Sequence, residues 1–386
     1  MRKLLWSVAG AAVALMTAAG AWANDPGVTD KEIKLGSFLP LQSGLSAGAS
    51  QYRDGMESYL KYINDQGGIN GRKVVWTVEN DSYNPQQAVA VAKKLVDRDG
   101  VFLIVGTLGT TNTLAAIPFL KQRNVPLLGP LGSHPSINKP KDRIVFPISP
   151  LGTLHGTSLA EFAHKDLKAK RIAVFYQDDQ YGKELLEGAR EFATKNGMEI
   201  VNTQSYVPSD VDVSPQALAI SQTKPDAVIM AVIPKQGALF LKEAQKMGWK
   251  TNFLAPQLMG DPVAIELAGS AIEGLYVNLY AAIDSMDTPM VKLANQVMAK
   301  YAPNTPVGYW SYIGMAGAVI FEQGAKKAGK TLTRESFMAA LESIGKVDAG
   351  VIPPVDYTKG AHSGPVTFGY AQVQGGKLKL IHHWND

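Results

Sequence analysis

The 386-residue chain contains no cysteine. Disulfides, iron–sulfur ligation and a thiol nucleophile are thereby excluded, and stability has to come from packing. A dominant charge sign is missing too. Thirty-eight Lys and Arg face 34 Asp and Glu, a formal net charge of +4, and no basic cluster occurs. That balance argues against nucleic acid or an anionic membrane surface as partner. A phosphate-cradling loop needs a lysine followed by Ser or Thr after its second glycine, and Gly106-Thr107-Leu108-Gly109-Thr110 has none. Gly36-Ser37-Phe38 stands where a dinucleotide-binding glycine fingerprint would follow the first strand. His155, His164, His362, His382 and His383 lack any H-x-x-x-H or H-x-H spacing, so no metal and no cofactor is expected. Ser133-His134 is not a nucleophile elbow, which requires glycines two residues to either side of the serine. Asp178-Asp179 reads as a solvated helix start rather than a catalytic pair. Nothing here marks an enzyme.

What is present begins with a leader. Arg2 and Lys3 precede an apolar, alanine-rich run from Leu4 to Ala19, and Ala21-Trp22-Ala23 supplies small residues for cleavage. Residues 1–23 read as a signal peptide cut after Ala23. A membrane anchor is the alternative, but the apolar run is short for a span of about 20 residues. The mature protein would keep 363 residues and 36 basic side chains, an exported chain suited to the periplasm. That length exceeds what one core usually supports, so two domains are expected.

Strands alternate with helices through two successive blocks, 31–148 and 150–276. Such alternation means βαβ units and a parallel sheet. The less regular remainder includes a Gly/Ala-rich helix from Tyr309 to Ala328 and a hairpin around Gly375-Gly376. It is too short for a third α/β domain and is expected to return and complete the first two. The expected fold is α/β, with two doubly wound parallel-sheet lobes joined by a three-crossing hinge. Lobe 1 would take residues 28–148 plus 278–354, and lobe 2 residues 149–277 plus 355–386.

One stretch organises the rest. Val101 to Val105 reads as a strand buried on both faces, broken at Gly106 and followed by hydroxyl residues and then a helix. The free N–H groups of such a helix start suit a carboxylate or phosphate above the strand, and open α/β sheets bind ligands at that carboxyl end. Thr110 and Asn112 would equally serve as plain helix caps. Loops at the carboxyl ends of the strands offer Ser43, Thr110, Thr111, Gly132, Ser133, Tyr181 and Gln257. These are hydroxyls, amides and an aromatic, poor for acid–base catalysis but good for gripping a small polar molecule.

At this point the chain resembles the periplasmic solute-binding proteins of the branched-chain amino acid (Leu/Ile/Val-binding) family of ABC transporters, periplasmic binding protein type I. The resemblance covers nearly all of the mature chain and rests on a combination of stretches. They are Lys34-Leu35-Gly36, residues 63–71 (Ile-Asn-Asp-Gln-Gly-Gly-Ile-Asn-Gly), Asn80-Asp81 and residues 84–92, with Tyr181-Gly182, residues 253–256 and Glu273-Gly274-Leu275. It implies a monomer that closes two lobes on a small carboxylate or amino-acid ligand and delivers it to an inner-membrane ABC permease. It also implies that Thr110, Thr111, Gly132 and Ser133 hold the ligand's carboxylate. Tyr181 would cover the ligand, and Tyr309 would line its side-chain pocket. Where the family's amino-acid binders present an acid to the ligand's ammonium, this chain has Gln257. An amide there favours a ligand without an ammonium group, an aromatic or aliphatic acid or an amide, since a desolvated ammonium without a counter-charge is costly. Asp261 or Asp178 remains available to supply that charge. The same fold also serves ligand-sensing receptors for amides or amino acids, the competing function.

Overall fold

The computed structural model describes residues 25–385; the expected signal peptide lies outside them. In chain order come β1 (Glu32–Leu39), α1 (Ser46–Asp65), β2 (Lys73–Asn80), α2 (Pro85–Lys93), β3 (Leu103–Leu108), α3 (Thr110–Gln122), β4 (Leu127–Leu131), α4 (Pro135–Asn138) and β5 (Val145–Phe146). Their strands pair in parallel in the order β2-β1-β3-β4-β5. The pattern then restarts with α5 (Gly152–Lys165), β6 (Arg171–Gln177), α6 (Gln180–Lys195), β7 (Glu199–Tyr206), α7 (Ser214–Gln222), β8 (Ala227–Ala231), α8 (Pro234–Lys246), β9 (Asn252–Pro256), α9 (Pro262–Ala268) and β10 (Tyr276–Leu279). After α10 (Pro289–Tyr301), α11 (Tyr309–Ala328) and α12 (Arg334–Ile344) come a two-strand ladder of β11 (Lys346–Val347) with β12 (Val355–Asp356) and the hairpin β13 (Gly369–Gln374) and β14 (Lys377–His382). The second sheet runs β14-β13-β10-β9-β8-β6-β7, its hairpin antiparallel to β10. Leaving that hairpin aside, both sheets have one topology, with the strand order reversing beside the first strand of each. Both are doubly wound, as the alternation predicts.

Local sequence explains most element ends. All six residues of β3 are buried, as befits a strand covered on both faces. Asn84 accepts a hydrogen bond from Gln87 N at 3.0 Å and Pro85 opens α2, the pairing that helix starts favour. One boundary differs from the sequence expectation. Strand β3 does not stop at Gly106 but continues to Leu108, because Thr107 and Leu108 still pair with Pro130 and Leu131 of β4. Gly106, at φ +74°, absorbs the accompanying register shift against β1, and the Tyr52 hydroxyl occupies the place a side chain would take.

The chain crosses between the sheets after β5, after β10 and again before β13. Helix α11 packs along α1 so closely that a Cβ at Gly55 or Gly314 would overlap the other helix's backbone. The expected division needs correction at two points. A boundary after residue 277 cuts β10, whose ladder with β13 runs to Leu279. A boundary after residue 354 separates β11 from its partner β12. Beyond β12 the chain is still tied to the first sheet, with Tyr357 Oη donating to Pro147 O and the His362 ring meeting Val145 O. The last crossing therefore follows His362.

Candidate functional site

Between the two sheets, at the carboxyl ends of their strands, lies a cavity of about 70 Å³, measured as space open to the centre of a water molecule. On that measure one water needs about 10–15 Å³, so the space suits a single ring or a short chain. From the first sheet it is lined by Leu45, Tyr83, Gly109, Thr110, Gly132 and Ser133. From the second come His155, Tyr181, Ile233, Leu258 and Tyr280, and the start of α11 adds Tyr309 and Trp310. The switch point of a doubly wound sheet is where a ligand is expected. Here two such points face one another.

The anchor is built by α3. Its N-cap is Gly109, at φ +111°, which has no side chain to satisfy the helix's first amides. The leading N–H groups, which have no partner within the helix, thus stay available and carry the positive end of the helix dipole. A Cβ at Gly109 would lie 2.7 Å from the Tyr83 ring, so the cap has to be glycine for fit as well as for conformation. Thr110 Oγ1 accepts from Ser133 N at 3.0 Å. The Thr110 hydroxyl proton is thereby left to donate, and Ser133 Oγ has no partner among the described residues. Gly132 lets this loop approach, since a Cβ there would sit 3.3 Å from Thr110 Cα and 2.6 Å from Ile137.

Opposite chemistry is missing from the wall. None of its lining side chains is Asp, Glu, Lys or Arg. His155 is neutral, because burial pushes its imidazole down to about 4. Burial likewise raises the hydroxyls of Tyr181, Tyr280 and Tyr309 well above the ordinary tyrosine range, so none ionises. Four rings form a continuous row: His155–Tyr280 at 5.2 Å between centroids, Tyr280–Tyr309 at 5.6 Å and Tyr309–Trp310 at 4.8 Å. The indole lies over Gly48 of α1, where a Cβ would come within 2.5 Å of it.

Of the residues nominated from the sequence, Thr110, Gly132, Ser133, Tyr181 and Tyr309 come together on this cavity. Three do not. Thr111 is exposed, because one residue along a helix start turns the side chain away from its neighbour's direction. Ser43 spends its hydroxyl on Pro40 O and Leu45 N within its own turn. Gln257 is fully buried and faces the crossing after β10. Its Nε2 donates to Ala281 O at 2.8 Å, and its Oε1 accepts from Tyr280 N and Ala281 N at 2.9 and 2.8 Å. It braces that crossing and does not line the cavity. Neither acid held in reserve reaches the cavity: Asp178 is exposed and paired with Lys183 at 2.8 Å, while Asp261 caps α9 through Val263 N at 3.0 Å. The carboxylates two residues before the lining tyrosines Tyr83 and Tyr181 are also committed, buried Asp81 to Asn112 Nδ2 and Tyr83 N, half-buried Asp179 to Gln177 Nε2 and Gly182 N. Tyr83, His155, Tyr280 and Trp310 were not nominated. Tyr83 and Tyr280 follow strand ends, the signal that found Thr110, Gly132, Ser133 and Tyr181, and Trp310 is the second of two aromatics opening α11.

Comparison with known proteins agrees with this architecture. The Leu/Ile/Val-binding protein homolog 3 of Brucella melitensis is 25% identical over 377 residues, covering 97% of this chain and 98% of its own. The leucine-, isoleucine-, valine-, threonine- and alanine-binding protein of Pseudomonas aeruginosa is 23% identical over 334 residues, covering 84% and 88%. Among solved structures, a fatty acid ABC transporter substrate-binding protein from Thermomonospora curvata superposes with a TM-score of 0.85 at 23% identity, over 93% of each chain. A branched-chain amino acid ABC transporter protein from Thermus thermophilus with bound valine gives 0.84 at 22% identity, over 92% of this chain and 97% of that one. The profile of the periplasmic binding proteins matches residues 32–377, nearly the whole described chain. The profile match over most of the chain, with relatives and fold in agreement, shows that the chain belongs to the periplasmic binding protein family.

Proposed function

We propose that this protein is the substrate-binding component of an ABC importer, exported to the periplasm, which closes as a monomer on a small monocarboxylate and presents it to an inner-membrane permease. One observation carries the ligand class: the cavity joins an uncapped helix start to a wall with no charged side chain. A carboxylate finds amides, a hydroxyl and a helix dipole there, whereas an α-ammonium finds no counter-charge and would lose its water at high cost. Relatives named for amino acids supply the transport context. The aromatic lining and small volume favour an aromatic or short aliphatic acid.

The test is a calorimetric comparison of leucine with 4-methylpentanoate, its counterpart without the amino group. The deaminated acid is expected to bind more tightly, and tighter binding of leucine would overturn the ligand class. Thr110→Val removes the donor to a charged group, a bond worth roughly 1.5–3 kcal/mol. Affinity for every carboxylate ligand should fall alike, by roughly tenfold to a hundredfold. Unchanged affinity in the same titration would take Thr110 out of the site.

A further inference from the structure

The carboxylate anchor leaves other polar groups in the cavity without work. Trp310 is 3% exposed and His155 5%, and neither Trp310 Nε1 nor His155 Nδ1 has a hydrogen-bond partner among the described residues. Tyr280 and Tyr309, at 4% and 6% exposure, bond hydroxyl to hydroxyl. In such a pair one O–H donates to the other oxygen, and the second proton is left for a third group. All four side chains belong to the single row of rings lining the cavity. A buried donor without an acceptor is costly, and sites with such groups discriminate strongly for ligands that satisfy them. The spare groups are mostly donors, all neutral, and none belongs to α3.

Resting on the carboxylate reading above, we infer that the row His155–Tyr280–Tyr309–Trp310 is a second recognition element that binds a neutral oxygen on the ligand's body. The substrate class is then a monocarboxylate carrying one hydroxyl or carbonyl group, with hydroxylated aromatic acids as its simplest members. A second carboxylate is disfavoured because the row holds no cation: His155 is its single titratable base and is kept neutral by burial, with the Asn278 carboxamide beside it and no acidic or basic side chain on the cavity wall. An unsubstituted acid would leave the donors unsatisfied.

Calorimetric titration of the mature chain with benzoate, 3-hydroxybenzoate and 4-hydroxybenzoate tests this. At least one hydroxybenzoate should bind ten or more times more tightly than benzoate. The ratio should fall toward one in Trp310→Phe and in His155→Phe, each checked for folding by its thermal transition. Equal affinity for all three acids in the unmodified chain would overturn the second element while leaving the carboxylate reading intact. A ratio that persists in both folded variants would also overturn it. If none of the three acids binds while 4-methylpentanoate does, the hydroxylated aromatic class is overturned and the carboxylate reading stands; if 4-methylpentanoate also fails, the carboxylate reading falls and takes this inference with it.

Discussion

Gln257→Glu is expected to destabilise the protein rather than create an amino-acid site. The native amide satisfies four backbone groups of the crossing after β10, donating to Ala281 O and Ala282 O and accepting from Tyr280 N and Ala281 N. A carboxylate keeps the two acceptor bonds but turns an oxygen toward two carbonyl oxygens in a fully buried place. Losing a donor while burying a charge costs roughly 3 kcal/mol, or a fall of roughly 6 °C in the thermal midpoint. The sign with pH is fixed by the same geometry. The carboxyl would have a raised pKa in the folded state, so the variant's deficit should shrink as pH falls from 8 to 5, where a protonated oxygen can again donate to a carbonyl. Scanning calorimetry of both proteins at the two pH values reads this directly. A variant of unchanged stability that gained leucine binding would show that the side chain faces the cavity after all.

Gln257 also marks where reading the chain ran out. The alternation of apolar runs and amphipathic stretches announced both sheets, because each βαβ unit writes its own period and punctuation locally. Strand ends announced Thr110, Gly132, Ser133 and Tyr181 in the same way, since a doubly wound sheet has one ligand-binding edge, whereas Tyr309 came only with the family resemblance. Which way a side chain turns at that edge is not local information. Thr110 and Thr111 are chemically alike, and only helical rotation sends one to Ser133 N and the other to solvent. Gln257 looks like a ligand group until the segment 280–282, more than twenty residues on, supplies the backbone partners that consume it. His155 and Trp310 join one wall only because the chain crosses between the sheets, placing the start of α11 beside the first turn of α5. The last crossing was misplaced for a related reason: residues 355–362 have no strong pattern of their own and are fixed by β5 and β11.

Asp261 should make the protein less stable as pH rises. Its carboxyl is 1% exposed, and burial pushes it up to about 7, although Val263 N, Trp310 N and Tyr309 N hydrogen-bond to it and pull the other way. Its ordinary value is 3.8. A group with a raised folded-state pKa contributes stability that is complete below the unfolded value and lost as pH climbs through the folded one. Here that window runs from about pH 4 to about pH 7, and at 1.36 kcal/mol per unit the loss is of order 4 kcal/mol. Asp81 and Asp179, also raised by burial, act in the same direction, so the wild-type profile alone cannot isolate Asp261. Asp261→Asn can. The amide oxygen keeps the cap on Val263 N, and the change of Oδ2 to a donor facing Trp310 N adds a pH-independent offset. Asp81 and Asp179 cancel in the comparison. Denaturant unfolding of the two proteins should therefore show the asparagine variant gaining on the wild type by roughly 3 kcal/mol between pH 5 and pH 8. A difference that stays constant over that range would mean that Asp261 is already ionised at pH 5. The start of α11, with Tyr309 and Trp310 on the cavity wall, would then be held by a permanent charge.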